Sequence, residues 1–278
     1  MVSVNDFSNW LLNPALAYVT SCFGAFLGLR CVALGRVYHG MGRAAWLSLA
    51  AISIGATGIW AMHFIAMLGF SVPGQQITYN MTITIASMLL AILVVGIGLF
   101  IVGYGNAGWS RLLTGGTIVG VGVNVMHYLG MAGMQMPGRT HYNPVLVAVS
   151  VVIAVVAGTA SLWFGTRVRG VRAALVASVI MGIAVTGMHY TGMAALQVTS
   201  GPMAMMSGMP APTFVVPLVV GLTLITFGIV MALSLARSEE EIAEDEMLKR
   251  RAWRPPPVTT GQSPSGESAP RSRSPHPR

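Results

Sequence analysis

Residues 173–196 read AALVASVIMGIAVTGMHYTGMAAL, twenty-four positions with no charged side chain and one imidazole near the far end. A crossing of the hydrocarbon core needs roughly 20 predominantly apolar residues, so this stretch predicts a membrane helix. His189 then lies at membrane depth, where a polar ring is costly unless something satisfies it. The hexad around it, Met188-His189-Tyr190-Thr191-Gly192-Met193, has two further copies. They are Met126-His127-Tyr128-Leu129-Gly130-Met131 and Met62-His63-Phe64-Ile65-Ala66-Met67. One such hexad fits an accident of a Met-rich core, but three at similar intervals form an internal repeat and point to a shared intramembrane site.

Composition sets the class. The chain is 54% hydrophobic and 9% charged, against about 25% charged residues in a soluble domain. The formal charge of +8 sits in short loops and in the tail, which reads as membrane topology rather than a nucleic-acid surface. From Phe7 to Ser238 there is no Asp, Glu or Lys. Carboxylate acid/base chemistry, a carboxylate proton relay and a Mg or Ca site are therefore unsupported, and no enzymatic activity is expected. Cys22 and Cys31 lie about 180° apart around one helix and are expected to pack rather than to pair. The amino terminus lacks the positive region of a signal peptide, so the first apolar span is expected to be retained.

Seven stretches are long and apolar enough to span: 14–34, 46–69, 79–103, 112–136, 144–165, 173–196 and 213–236. All should be helices, because lipid offers backbone groups no other partners. The predicted fold is an all-α membrane protein of seven helices, with three parallel two-helix repeats following a first helix. Arg36, Arg43, Arg111, Arg167, Arg169, Arg172 and the tail from Arg237 fall on one side, and Arg139 alone on the other. The positive-inside rule places the amino terminus outside and the carboxyl terminus in the cytoplasm of a bacterial plasma membrane. The membrane domain covers residues 1–237. Residues 238–278 form a cytoplasmic charged and Pro/Ser/Arg-rich tail, helical at first and then disordered.

With this orientation each hexad lies near the outer end of its helix, at one common depth. His and the later Met of each copy are i, i+4 neighbours on one helical face: His63 with Met67, His127 with Met131, His189 with Met193. The earlier Met of each copy, Met62, Met126 or Met188, points about 100° away and faces either a ligand or the packing. Thioether selects Cu(I) and imidazole suits Cu, Zn, Fe and Ni, so a His/Met set without thiolate or carboxylate favours copper. A lone intramembrane His reads as a hydrogen-bonded core residue; three at one depth read as converging ligands. Phe64, Tyr128 and Tyr190 are expected to pack, the two phenols with a hydrogen-bonding neighbour. Small residues recur seven before each His (Ala56, Gly120, Gly182) and three after it (Ala66, Gly130, Gly192), a pattern expected of close helix packing. Met203, Met205, Met206 and Met209 form an outer loop, read as a copper-capturing segment or an apolar loop at the membrane surface. His39 and His141 are expected to be solvated.

The Met-His-Tyr-Thr string at 188–191, echoed at 126–129 and 62–65, resembles the MHYT domain, a family of seven-span bacterial membrane modules. The resemblance covers roughly residues 10–237. Phe64 replaces Tyr in the first copy, and Ile65 and Leu129 replace Thr in the first and second. The resemblance implies a sensor of a diatomic gas (oxygen, carbon monoxide or nitric oxide) acting through copper. The ligands it implies here are Met62, His63, Met67, Met126, His127, Met131, Met188, His189 and Met193. Family members fuse the module to a diguanylate cyclase, phosphodiesterase or histidine kinase. About forty residues follow the last span here, so output is expected from a separate cytoplasmic partner. Besides the bilayer and a gas ligand, no nucleic-acid partner is expected. Competing readings are a copper transport, storage or metallochaperone-partner protein, and a haem-binding membrane protein.

Overall fold

The computed structural model describes residues 12–70, 77–104, 108–136, 139–199 and 208–236, together with 241, 244–245 and 247–249. Among the described residues, seven helices are long and apolar enough to cross a membrane. They are α1 Leu12–Val37, α2 Gly40–Leu68, α3 Met81–Gly103, α4 Trp109–Gly133, α5 Pro144–Arg167, α6 Gly170–Ala194 and α7 Ala211–Leu235. Their sequences explain their ends. Asn80 caps α3 by accepting the Ile83 N–H at 3.1 Å, and Asn143 caps α5 by accepting the Val145 N–H at 3.0 Å. Gly40 and Gly170 take φ of +55° and +75° where the chain turns into α2 and α6. Ser53–Ala61 within α2 is π-helical, and all nine of its residues are buried.

Short strands occupy the end of the bundle near the hexads: β1 Thr78–Tyr79, β2 Met134–Gln135, β3 Arg139–Tyr142, β4 Leu196–Thr199 and β5 Met209–Pro210. β1 pairs antiparallel with both β2 and β5, and β3 pairs with β4 in the register His141↔Gln197. The spans expected at 79–103, 112–136 and 173–196 therefore run two or three residues too far at this end, and the last two begin three residues late at the other. Residues 79, 134–135 and 196 are extended, because neighbouring connections pair their backbones once the chain leaves the bundle. The histidines consequently lie five or six residues from their helix ends (Leu68, Gly133 and Ala194), closer than the six to nine expected.

Packing follows the repeat, with one exchange. α3 packs between α2 and α4, and α5 packs between α4 and α6. The third such place, between α6 and α2, is taken by α1. α2, α4 and α6 thus form an inner set around a common axis, with α1, α3 and α5 between them. In sequence α7 completes the third repeat. In space it rests on α2, α1 and strands β1 and β5, with most of its surface exposed. Backbones approach closely at glycine: a Cβ on Gly24 of α1 would lie 2.3 Å from the Gly58 nitrogen of α2, and one on Gly120 of α4 would lie 2.4 Å from Val155 Cα of α5. The outer faces carry a belt of exposed Leu, Val, Ile and Phe, including Leu93, Val156, Ile183 and Phe227, as a lipid-facing surface requires.

Residues Met1–Glu239 form one compact unit and Glu240–Arg278 another. In the second, the described residues Glu241, Glu244, Asp245 and Met247–Lys249 are helical. The expected disordered stretch beyond them, and Met203, Met205 and Met206 of the expected Met loop, lie outside the described residues.

Candidate metal centre

The repeat places one imidazole on each inner helix at the same level. His63 comes from α2, His127 from α4 and His189 from α6, and all three are buried. Their Nδ1 atoms form a near-equilateral triangle: 3.0 Å from His63 to His189, 3.1 Å from His127 to His63 and 3.3 Å from His189 to His127. The rings meet nearly edge to face, with interplanar angles of 74°, 78° and 84°. Each is also braced by the aromatic residue that follows it. Phe64, Tyr128 and Tyr190 stand T-shaped to their own histidines at 5.0 Å.

Three such nitrogens cannot satisfy one another. A neutral imidazole nitrogen is either a donor or an acceptor. In a triangle at least one side must therefore pair two alike, either two N–H groups or two lone pairs about 3 Å apart. The outer nitrogens offer no relief, because each Nε2 is buried and has no hydrogen-bond partner among the described residues. A cation at the centre removes the conflict by accepting all three lone pairs. The spacing also suits one: imidazole nitrogens about 2.0 Å from a tetrahedral ion lie about 3.3 Å apart. The triad fits a metal ion on donor chemistry, convergence and spacing.

The glycines three positions after His127 and His189 create the room for this arrangement. A Cβ on Gly130 would lie 2.3 Å from His63 Nε2, and one on Gly192 would lie 2.2 Å from His127 Nε2. Each glycine thus admits the imidazole of another repeat. Helix packing, the role expected of all six recurring small residues, holds at Gly120 and also at Gly182, where Cys22 Sγ of α1 would meet an added Cβ at 2.5 Å. It misses the purpose of Gly130 and Gly192. The signal was their fixed offset from the histidines.

The methionines share the core. Met62, Met67, Met126, Met131 and Met188 are buried, and Met193 is partly buried against the same cluster. Met188 lines an apolar cavity of about 30 Å³ together with Ile59, Val123 and Val185. These last three stand four residues before His63, His127 and His189, so the cavity begins one helical turn from the imidazoles.

Other expectations resolve individually. Tyr128 Oη lies 3.1 Å from Ser150 Oγ, which also accepts a hydrogen bond from Asn124 Nδ2 at 3.0 Å, tying α4 to α5. Tyr190 Oη is buried without a hydrogen-bond partner among the described residues. Phe64 is buried against Trp60 and Tyr79. Outside the spans, burial pushes the Tyr79 phenol above its ordinary pKa. His39 and His141 are exposed, and Cys22 and Cys31 are free thiols. A bis-histidine haem does not fit. Two ligands on opposite sides of an iron stand about 4 Å apart with the macrocycle between them, and no pair of these nitrogens leaves that space.

The MHYT repeat, described as a bacterial signalling protein N-terminal repeat, matches three times in succession, at residues 57–115, 120–178 and 182–243. The bifunctional diguanylate cyclase/cyclic di-GMP phosphodiesterase MucR of Pseudomonas aeruginosa is 38% identical over 215 residues, covering 74% of this chain and 31% of its own length. The cyclic di-GMP phosphodiesterase NbdA of the same organism is 34% identical over 189 residues, covering 66% of this chain and 24% of its own length. The signaling protein YkoW of Bacillus subtilis is 29% identical over 187 residues, covering 65% and 23%. The chain therefore spans less than a third of the length of these relatives. No solved structure matches it.

Proposed function

Because the chain belongs to the MHYT family of bacterial signalling-protein repeats, we propose that its imidazole triad is the ligand-detecting metal centre of a membrane sensor module. The observation that carries this reading is the convergence of three buried Nδ1 atoms within 3.3 Å of one another, with no hydrogen-bond partner among the described residues for the opposite nitrogens.

Copper is the proposed ion. The described membrane helices contain no carboxylate and no thiol near the triad, whereas Met67, Met131 and Met193 follow the histidines by one turn on the same faces. A copper ion held by three imidazoles supplies an open position for a small neutral ligand such as oxygen, carbon monoxide or nitric oxide. The protein supplies the rest. His63, His127 and His189 hold the charge, and Phe64, Tyr128 and Tyr190 fix the ring planes. The apolar cavity beside them has about the volume of one water molecule, and an apolar void of that kind favours an uncharged guest. Each ligand stands on a different inner helix, so a change in the triangle is a change in the packing of α2, α4 and α6. The readout passes to a cytoplasmic partner, and the module itself is non-catalytic.

Metal analysis of the detergent-purified chain tests this reading. Wild type is expected to retain about one copper per chain. The combined His63→Ala, His127→Ala, His189→Ala variant is expected to retain none while keeping its helical circular dichroism. Reduced copper-loaded wild type should show a carbon monoxide stretch in the infrared that the variant lacks. Equal copper in both proteins would overturn the assignment.

A further inference from the structure

Two cavities follow one another along the axis of the bundle. The apolar cavity of about 30 Å³ beside the triad has Leu99 of α3 and Leu162 of α5 in its wall. A second cavity, of about 160 Å³, shares both leucines and extends to Arg43, Gly103 and Gly165 at the end of the bundle away from the strands. Leu99 and Leu162 each stand eighteen residues into their helices, counted from Met81 and Pro144, whereas each histidine lies five or six residues from its helix end. At 1.5 Å per residue the shared leucines are therefore roughly 20 Å below the imidazoles.

Other directions are closed among the described residues. Toward the strands, Phe64, Met67, Tyr79 and Met131 are buried. On the flanks, α1 meets α2 backbone to backbone at Gly24 and Gly58, and α4 meets α5 at Gly120. A close-packed interior holds few voids larger than a water molecule, so two that share a wall mark its least obstructed line. What separates them is side chain. Leu162 Cδ1 sits in a notch between α3 and α4, where a Cβ on Gly115 would lie 3.0 Å from it and one on Gly98 would lie 3.4 Å from it. Leucine exchanges between staggered rotamers, so this boundary opens by a side-chain rotation that moves no helix.

We infer that Leu99 and Leu162 gate an axial route by which a small uncharged ligand reaches the imidazole triad from the end of the bundle away from the strands. The inference rests on the reading of the triad as a ligand-detecting metal centre. The wall chemistry selects the class of ligand. Beside the triad the lining carries one hydroxyl, that of Ser161, and no charged group. A dissolved diatomic gas enters such a space without losing hydrogen bonds, whereas an ion would have to shed its water there. The arginine distribution predicts that the mouth of the route faces the cytoplasm.

The full chain in detergent, loaded with copper, reduced and bound to carbon monoxide, is flashed with light, and the return of the carbon monoxide stretch is timed. Leu162→Trp, which fills the boundary, should slow rebinding from solution about tenfold, an added barrier of about 1.4 kcal/mol. Leu162→Ala, which opens it, should speed rebinding. Copper content and the equilibrium stretch should match wild type in both variants. Val156→Trp, on the exposed face of α5, should change none of these quantities. The metal-free chain is followed by xenon-129 NMR, because an apolar void takes up xenon. Xenon should exchange more slowly in Leu162→Trp and faster in Leu162→Ala. Should the Trp variant fail to fold, Leu162→Ala and Leu99→Ala carry the test, and both should speed rebinding and xenon exchange. Wild-type rates of both in the leucine variants, with copper retained, would overturn the route and leave the metal centre standing. A wild type that holds no copper would overturn the metal centre instead, and xenon exchange would still decide whether the leucines gate the axis.

Discussion

An alanine at Gly192 would place a methyl group 2.2 Å from His127 Nε2, and the ring cannot retreat without leaving the triangle. Gly192→Ala, and likewise Gly130→Ala against His63, is therefore expected to weaken copper binding by about 10- to 100-fold, the usual cost of disturbing the groups behind a metal ligand. Gly187→Ala on the same helix, where nothing lies within 4 Å, should bind copper as wild type does. Competition with a chelator measures all three. At this scale the convergence of the three histidines was legible. The histidines stood out because three polar rings at equal depth in apolar helices require a common explanation. The direction of each ring was not legible, since helical periodicity gives the face of a residue and not which of its nitrogens points inward.

Among the elements, α1 and α2 meet through Gly24 and Gly58, and Ser53 Oγ donates to the Gly24 carbonyl at 2.8 Å within the π-helical part of α2. A side chain on Gly24 must push α1 away from the helix that carries His63. Gly24→Ala should destabilise the protein by about 1–3 kcal/mol, the range for overpacking a close-packed interior. Gly221→Ala in α7, which faces open space, should leave the melting temperature in detergent unchanged. Sequence located every helix, because apolar length and the Gly and Pro breakers are strong local signals. It did not show the strands. Pairs such as Thr78↔Gln135 and Tyr79↔Met209 join distant segments of two or four residues, too short to display an alternating pattern. The π segment was equally hidden, being as apolar as its α-helical surroundings.

For the whole molecule, the sequence repeat and the spatial arrangement separate at one helix. Repeat logic groups α7 with α6, whereas α1 fills that place beside α6 and closes the set around the imidazoles. Both helices are antiparallel to α6 and apolar, and their different packing depends on surfaces that composition does not distinguish. The arginine distribution predicts which end faces which compartment. Single cysteines placed at Arg139 should react with an impermeant thiol reagent on intact cells, and those at Arg111 only after lysis; the reverse would invert the topology and put the triad in the inner leaflet. The central claim is that one ion sits among three imidazole nitrogens drawn from three helices. X-ray absorption at the copper edge of the loaded full chain tests it most directly. Three nitrogen neighbours at about 2.0 Å, disappearing with the triple His→Ala replacement, are expected. A shell made of sulfur alone, or one unchanged by that replacement, would contradict it.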